Sequence, residues 1–502
     1  MKNRGFISLK EGFKSVKQKS HYVASAVFPL MLSKSNDLNI VFFNYWTNKN
    51  KIQTKYLKLF IKIHDHTGEL ICHHEEKIFD YHNQHSISQI LNKNKIRIKN
   101  LYGMVNIEIV SLEKLSFPFP AIIGIYKSGN FYSSVHSAGR IKNNSEIQNK
   151  IYTEETNWTC KFDKGVTPFF HFFVGNKKPE KSFLTVKILN DAGKIKNSKK
   201  VDINFLNPFG SKIFFIKDLF KNAKFKNTDF VSVEVEHNSI IPRMVVGNYF
   251  YKKNIFETTH SFPRIVSKDY CPNDKKFPFQ SKMTGYRNKD LDLQLKIFPT
   301  SCEGKFTAET FTKNFHEEKL TPVKEVTEIS KKKLKKKIII PFKKNEEFKS
   351  LKFKGNKIPS RLNTSFVYKV RNLKNNYSVD IASGAKSTIY PKKYTHWGHG
   401  YIAENFETII MIANDNYEYS NNEVFSGVLD VYSEKFHKKI NVKINSGSVL
   451  TVNLSKIIDI KKTIRKKLNF LSWHLRLKTP GCECFWVSFR KKDGSIFGDH
   501  SF

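Results

Sequence analysis

Residues 240–262 read IIPRMVVGNYFYKKNIFETTHSF, and this stretch decides how the chain is organised. It begins with an apolar, β-branched run, passes through tyrosines into a short polar turn, and closes with His-Ser-Phe. Because β-branched and aromatic residues favour strands, it is predicted to be a strand pair that ends at an imidazole. Versions of it close other parts of the sequence, and FGDHSF occupies the final six residues.

The segments that precede this stretch also recur. Residues 57–71 and 183–195 alternate apolar and polar side chains and then turn through Asp or Asn and Gly. Three positions align at one constant offset: Ile61, Ile63 and Gly68 with Val186, Ile188 and Gly193. Residues 103–111 align with 229–237, and 119–137 with 240–261. Period-2 alternation with glycine turns is typical of strand hairpins, so a duplicated β unit is predicted.

Two weaker copies follow. One comprises residues 425–444, 448–458, 471–478 and 484–502, and the most divergent comprises 291–299, 336–342, 365–372, 377–384 and 387–400, with an insertion around 307–337. Copies of roughly 100 to 140 residues match the size of a β-sandwich domain. Single helical turns or short helices are expected at residues 86–95 and 215–224.

The sequence therefore predicts an all-β chain of about four tandem, immunoglobulin-like β-sandwich modules joined end to end. The expected modules are residues 1–140 with an N-terminal extension, 141–265, 266–400 and 401–502.

Histidines lie near the ends of the copies, and two roles for them are open. The imidazole could hydrogen-bond a neighbouring carbonyl and pack the joint between modules, because a joint recurs with every module. Alternatively, the histidines could bind a metal or take part in catalysis. The aromatic residues just before them could form rims that stack on sugar rings or bases, or they could be buried strand ends. The candidate binding residues are Tyr126, His136, Tyr249, His260, Tyr390, His396, Trp397, His399 and His500.

The formal net charge of +41 would suggest a polyanionic partner such as nucleic acid or an acidic glycan. Most of the basic residues are lysine, whereas arginine is favoured for bidentate phosphate recognition. Lysine, Asn, Ile, Phe and Tyr share AT-rich codons, so genome composition explains much of the excess. Nucleic acid is therefore a less expected partner than carbohydrate or protein.

Other chemistry-bearing motifs are few. His396 and His399 could bind a metal if their turn is tight, but no third ligand can be identified, and the metal ligands stay unknown. Residues 414–418 with Glu423 favour a solvated loop over a calcium site, and the lysine run 331–337 favours a charged edge over a polyanion site. The sequence contains no phosphate loop, dinucleotide fingerprint or nucleophile elbow, and no cofactor is predicted.

The cysteine pattern and the hydropathy indicate the compartment in which the protein is expected. The six cysteines are scattered and include no CxxC pair, which indicates reduced thiols. The apolar run near the N-terminus is short and broken by Pro29, unlike a signal peptide, and no stretch approaches the ~18 apolar residues of a membrane span. A cytoplasmic protein without a transmembrane segment is expected.

These observations favour a non-catalytic binding or scaffolding protein whose partner is a carbohydrate or another protein. Two alternatives stay open. One is a metal-assisted enzyme built around His396 and His399, although the missing motifs make catalysis the less expected function. The other is an electrostatic nucleic-acid binder.

Overall fold

A computed structural model describes most of the chain. The described residues are 22–48, 51–52, 57–78, 81–97, 100–115, 121–136, 139–142, 151–179, 181, 183–237, 240–241, 243–264, 270–272, 279–299, 303–317, 321–330, 336–359, 362–373, 375, 377–384, 386–387, 393–403, 405–414, 424–433, 436–458 and 470–502.

Eight strands form the first sandwich: β1 (Tyr22–Leu32), β2 (Asn36–Phe43), β3 (Leu57–Asp65), β4 (Leu70–Lys77), β5 (His82–Ser86), β6 (Leu101–Ser111), β7 (Ile122–Ser128) and β8 (Phe131–His136). They pair as two antiparallel sheets, in the orders β1-β6-β3-β4 and β5-β2-β7-β8. The helices α1 (Tyr45–Asn48) and α2 (Ile87–Lys93) accompany them.

The second sandwich comprises β10 (Ile151–Asn157), β11 (Val166–Phe173), β12 (Phe183–Leu189), β13 (Ile195–Asp202), β14 (Ser211–Phe215), β15 (Phe230–His237), β17 (Val245–Phe250) and β18 (Ile255–His260), with α3 (Ile216–Leu219) and a 3-10 turn, Tyr251–Lys253. Its sheets are β13-β12-β15-β10-β19 and β14-β11-β17-β18, where β19 is Phe262–Pro263. The two-residue strands β9 (Arg140–Ile141) and β16 (Ile240–Ile241) pair with each other.

The third sandwich comprises β20 (Ser281–Tyr286), β21 (Leu291–Ile297), β22 (Lys305–Asn314), β23 (Thr321–Ser330), β24 (Ile338–Pro341), β25 (Glu346–Lys357), β26 (Asn363–Val370) and β27 (Val379–Gly384), and β28 (Lys386–Ser387) follows. The fourth comprises β29 (Thr395–Tyr401), β30 (Glu407–Asn414), β31 (Phe425–Tyr432), β32 (His437–Ile444), β33 (Ser448–Asn453), β34 (Phe470–Leu477), β35 (Glu483–Phe489) and β36 (Ile496–His500), with α4 (Leu454–Ile457). The sheet orders are β23-β22-β25-β20-β28 with β24-β21-β26-β27, and β29-β34-β31-β32 with β33-β30-β35-β36.

One topology thus recurs four times. Within each sandwich the first sheet joins strands one, six, three and four, and the second joins strands five, two, seven and eight. The prediction of an all-β chain of several β-sandwich units is confirmed. Immunoglobulin domains join strands one, two, five and four in one sheet, so the likeness to them is limited to two packed antiparallel sheets.

Alternation along the strands explains this packing. In β3, Leu57, Leu59, Ile61 and Ile63 are all buried, and they share a core with residues of the facing sheet, including Ile40 of β2. A hydrogen bond also joins the two sheets, because the Tyr126 hydroxyl donates to the Pro29 carbonyl at 3.0 Å. An apolar core therefore holds the two sheets of the first sandwich together, and the buried hydroxyl of Tyr126 has a hydrogen-bond partner.

The turns and short helices predicted from the sequence are present. In the β3–β4 turn the Asp65 carboxylate accepts the backbone N–H groups of Thr67, Gly68 and Glu69 at 2.9–3.0 Å. Gly68 has φ +102°, a conformation that glycine adopts without strain. Short helices α2 and α3 lie within the two segments where a helical turn was expected. At seven residues α2 is the longest described helix, and none in the described ranges could cross a membrane.

The eighth strands of the four sandwiches meet in a closed cycle. β8 contacts β18, β18 contacts β27, β27 contacts β36, and β36 contacts β8. Side-chain hydroxyls donate across three of these contacts: Ser133 to Phe256 O at 2.6 Å, Thr259 to Asp380 O at 3.2 Å, and Ser134 to Gly498 O at 2.8 Å. The first and fourth sandwiches are therefore in contact, unlike in the expected end-to-end string.

After each eighth strand the chain returns to the outer edge of strand one of the same sandwich. β19 pairs with β10, and β28 pairs with β20. In the first sandwich the Val27 N–H donates to Gly139 O at 2.9 Å, and in the fourth the Phe502 N–H donates to Trp397 O at 3.0 Å. The returning segment covers a sheet edge that would otherwise expose unpaired backbone groups.

Apolar side chains also cross between sandwiches. Phe485 of the fourth sandwich packs against Tyr286 and Phe366 of the third, with ring centroids 5.1 and 4.9 Å apart. Tyr45 of the first stacks on Trp397 of the fourth at 5.0 Å. Trp158 of the second stacks on Phe298 of the third at 4.7 Å. These aromatic contacts therefore pack the four sandwiches against one another.

The structure differs from the expected insertion and from one expected module boundary. The supposed insertion at 307–337 contains most of β22 and the whole of β23, the third sandwich's counterpart of the β3–β4 hairpin. The interval 266–400 ends inside β29, which pairs with β34 and so belongs with the strands that follow it. The described cysteines are unbridged, as expected: Cys72, Cys160, Cys271, Cys482 and Cys484. Cys302 lies outside the described residues.

Gly68 and Gly193 give a matched test of the contact between the first two sandwiches. Both have positive φ, so replacement by alanine costs roughly 1 kcal/mol at either position. A Cβ on Gly68 would also overlap the Pro208 carbonyl oxygen of the second sandwich, whereas one on Gly193 has no atom nearer than 3.8 Å. We expect Gly68→Ala to lower the free energy of unfolding in urea by about 1–3 kcal/mol more than Gly193→Ala. Equal losses would contradict this contact.

Candidate functional site

Three histidines from three sandwiches meet where the eighth strands converge. His136 ends β8, His260 ends β18 and His500 ends β36. The ring centroid of His136 lies 4.5 Å from that of His260 and 4.9 Å from that of His500. We call His136, His260, His500 and the adjacent Asp499 the histidine seam. Their convergence was not visible in the sequence, because the residues belong to different copies of the repeat.

Asp499 links the fourth sandwich to the first. Nδ1 of His136 lies 2.9 Å from Oδ2 of Asp499, and both side chains are buried. Because a carboxylate only accepts hydrogen bonds, the Nδ1–H of His136 is the donor. This charge-assisted hydrogen bond joins residues that are 363 positions apart in the chain.

His260 and His500 share one local geometry. The Nδ1–H of His260 donates to Ser261 O at 2.7 Å, and that of His500 donates to Ser501 O at 2.8 Å. The repeated His-Ser pair therefore fixes the ring against its own backbone and leaves Nε2 as the nitrogen with the lone pair. These contacts agree with the first of the two sequence explanations, in which the imidazoles pack the joint.

Burial controls the protonation of the histidine seam. Burial, with His136 and Arg243 nearby, holds the pKa of His260 well below its usual range. Burial lowers the pKa of His500 to about 4 despite the opposing effect of Asp499. Burial alone would raise the pKa of Asp499, but His136, His500 and a backbone N–H outweigh it and lower that pKa. At neutral pH the seam thus contains neutral His260 and His500 beside a carboxylate.

A second buried polar group supports the seam from the second sandwich. The fully buried Ser261 hydroxyl donates to the Glu155 carboxylate and accepts the Met244 N–H at 2.8 Å. Burial raises the pKa of Glu155, while Ser261 and Arg243 oppose that rise. The serine of the His-Ser-Phe motif thereby ties the end of β18 to strand β10.

The third sandwich departs from the pattern. Its eighth strand, β27, reads VDIASG and contains no histidine. The sequence expectation placed His396 and His399 at the end of this copy, but both lie on β29, the first strand of the fourth sandwich.

The extended strand separates these two imidazoles, because residues three apart on a strand project from opposite faces. His396 Nδ1 lies 2.9 Å from the Ser501 hydroxyl, and His399 Nδ1 lies 3.1 Å from the Ser472 hydroxyl. Burial lowers the pKa of His399 to about 3. The tight turn that a metal site at this pair requires is absent here.

The remaining predicted aromatic residues have separate environments. Tyr126 lies in the core of the first sandwich, and Trp397 is buried against Tyr45. Tyr249 is half-buried, stacks on Phe256 at 4.5 Å, and donates its hydroxyl proton to Asn254 Oδ1 at 3.1 Å. Tyr390 lies outside the described residues.

Tyr249 has two exposed neighbours. Tyr251 lies edge-on to it at 5.3 Å and is 39% exposed, and Tyr102 of the first sandwich is 49% exposed. Burial, followed by the nearby Tyr102 and Tyr251, raises the pKa of Tyr249. We call Tyr102, Tyr249 and Tyr251 the tyrosine patch. Tyr251 is one of the aromatic residues before the histidines that the sequence offered for stacking, whereas Tyr102 was missed because only the contact between sandwiches brings it there.

Two trios of described residues have metal-ligating atoms within 4.8 Å of one another: His136, Asp499 and His500 in the seam, and His74, Glu76 and His85 on the first sandwich. Two concavities of about 460 and 430 Å³ open around Asp37, and neither is lined by the seam. Residues 415–418, Glu423 and 331–335, which include the proposed oxygen-rich loop and most of the lysine run, lie outside the described residues.

No protein-family model matches the chain, and no curated protein gives a significant match to its sequence.

The buried histidines predict loss of stability in acid. His82, His399 and His500 have folded-state pKa values of about 4, 3 and 4, below the ordinary value of 6.5. From pH 6.5 down to 4 the unfolded chain binds protons that the folded chain does not, so each group removes about 1.4 kcal/mol of stability per pH unit. Asp499 contributes only towards the lower end of this window, where the unfolded carboxyl group begins to bind protons and the folded one, whose pKa is lowered, does not. Urea unfolding at several pH values measures the slope.

The matched variants are His500→Gln and His73→Gln, which replace a seam imidazole and an exposed imidazole. Between pH 6.5 and 4, the free energy of unfolding of His500→Gln is expected to fall less steeply than that of the parent. The difference between the two slopes corresponds to at most one proton, or about 1.4 kcal/mol per pH unit. His73→Gln keeps the parental slope. Identical slopes for the parent and His500→Gln would contradict a neutral, half-buried His500.

Proposed function

We propose that this protein is a non-catalytic binding protein, in which the four-sandwich body is the scaffold and the tyrosine patch is the contact surface. The observation that carries the proposal is the exposure of clustered tyrosine rings at a junction between two sandwiches. Exposed aromatic clusters on proteins commonly mark interaction surfaces.

The chemistry of the patch favours carbohydrate as the partner. A tyrosine ring offers an apolar face to the C–H groups of a sugar and a hydroxyl to its polar edge. Tyr249 is backed by Phe256 and tethered to Asn254, so its ring is already held in place. Asn254 itself is held near the first sandwich by Asn36, whose amide donates to Asn254 O at 3.5 Å.

The scaffold matters because the patch spans two sandwiches. Tyr102 is on β6 of the first sandwich, whereas Tyr249 and Tyr251 belong to β17 and the following 3-10 turn of the second. The separation of the rings therefore depends on how the two sandwiches pack. Preorganised contact groups lower the entropic cost of binding.

Two alternatives have less support. Catalysis at His396 and His399 lacks a geometric basis, because the two imidazoles project from opposite faces of β29. Nucleic-acid binding stays a prediction from the +41 charge. Exposed lysines on the edge strands β13 and β32 are equally suited to preventing edge-to-edge association of sheets. A cytoplasmic location and the module boundaries at residues 140 and 265 are likewise parts of the proposal, with the third boundary moved to before β29.

A glycan array followed by titration of the best ligand tests the proposal. The parent is expected to retain a glycan, and Tyr102→Ala/Tyr251→Ala to bind it at least about tenfold more weakly, because two stacking rings are lost. Tyr394→Ala removes an equally exposed tyrosine (54%) from the fourth sandwich and is the matched control. It should bind like the parent.

Two results would contradict carbohydrate binding at the patch. One is a parent that retains no glycan, and the other is equal affinity in the parent and the double variant. Retention on DNA in ~150 mM salt, with a steep decline as salt rises, would instead favour the electrostatic alternative.

A further inference from the structure

A second cluster of metal-ligating side chains lies on the first sandwich, away from both the histidine seam and the tyrosine patch. His74 and Glu76 are two residues apart on β4 and therefore project from the same face of that strand. His85 is on β5, the edge strand of the facing sheet. The trio spans the opening between the edges of the two sheets.

The ligand atoms have the spacing of a metal site. Nε2 of His74 lies 3.1 Å from Oε2 of Glu76, and Nδ1 of His85 lies 3.6 Å from the same oxygen. Zinc ligands about 2.0–2.1 Å from a tetrahedral centre are separated from each other by roughly 3.3 Å. The two observed separations bracket that value.

His85 has a largely buried imidazole, and the described part of the chain leaves its ring with few polar contacts. Its side chain is only 10% exposed, and its Nε2 has no partner among the described residues. The 3.6 Å between Nδ1 and Glu76 exceeds hydrogen-bond distance. Nδ1 therefore faces Glu76 without a hydrogen bond and is the His85 nitrogen that a metal ion would bind.

The other three sandwiches have different residues at the equivalent edge. The equivalent fourth strands of the second and fourth sandwiches read IKNSKKVD and HKKINVKI, and their one histidine, His437, pairs with Asp430 of the neighbouring strand β31 at 2.7 Å. The equivalent fifth strands, β14, β24 and β33, contain no histidine. The other three sandwiches thus form the same edge without a trio of two imidazoles and a carboxylate. The trio in the first sandwich is therefore not required by the fold.

We propose that His74, Glu76 and His85 form a Zn²⁺ site that joins the two sheets of the first sandwich at their open edge. Two imidazoles and a carboxylate suit zinc, and three protein ligands leave a fourth position for water. Glu76 is 51% exposed, so solvent reaches that position. Zinc bound to the folded chain stabilises it by mass action.

Equilibrium dialysis against buffered Zn²⁺ tests the site on the full chain. The parent is expected to bind zinc at micromolar free concentration, and His74→Gln/His85→Gln to lose one equivalent. The control His73→Gln removes the neighbouring histidine, which projects from the other face of β4 and stacks on Phe60 at 5.6 Å. It should retain that equivalent. Visible absorption of the Co²⁺-substituted protein reports the geometry, with an intense tetrahedral spectrum expected in the parent and control only.

The seam trio is the competing location, and Asp499→Asn separates the two. Under the proposal Asp499→Asn keeps the tetrahedral Co²⁺ spectrum, and zinc raises the thermal midpoint of that variant but not of His74→Gln/His85→Gln. The proposal fails if the parent binds no zinc at micromolar concentration. It also fails if the double variant retains the full stoichiometry and the Co²⁺ spectrum.

Discussion

The return of the chain from the eighth strand to the edge of the first is the constraint on which the rest of the structure depends. A sandwich of open sheets exposes unpaired backbone groups along its edges, and those edges invite association. Here the residues after β8, β18, β27 and β36 cover the edge of strand one in their own sandwich. The end of every eighth strand is thereby fixed, and four such ends can meet at one place.

The histidine seam follows from that meeting. Side chains at the ends of three eighth strands are forced together out of water, so their charge has to be limited. Burial keeps His260 and His500 neutral, and the one carboxylate, Asp499, is satisfied by His136. A buried polar network that is fully paired specifies one arrangement, whereas the same groups left unpaired would destabilise it. The junction of the sandwiches in turn sets the spacing of the tyrosine patch.

Much of each sandwich could be predicted from the sequence, because hairpins are local. The alternation around Ile61 and the turn at Gly68 depend on neighbours within a few residues. The cycle of eighth strands could not be predicted in this way, since His136 and Asp499 are 363 residues apart. His396 and His399 were assigned to the wrong place because a histidine pair resembles the closing motif, while the true end of β27 is a glycine. The cluster of His74, Glu76 and His85 was missed because β4 and β5 belong to different sheets.

Small-angle X-ray scattering of the purified chain tests the closed arrangement of the four sandwiches most directly. A compact body of 502 residues has a radius of gyration of about 23 Å. Four sandwiches of similar size joined end to end would give roughly 40 Å, because the outer units lie far from the centre of mass. The closed cycle predicts a value near 23 Å for the monomer. A value near 40 Å would contradict it.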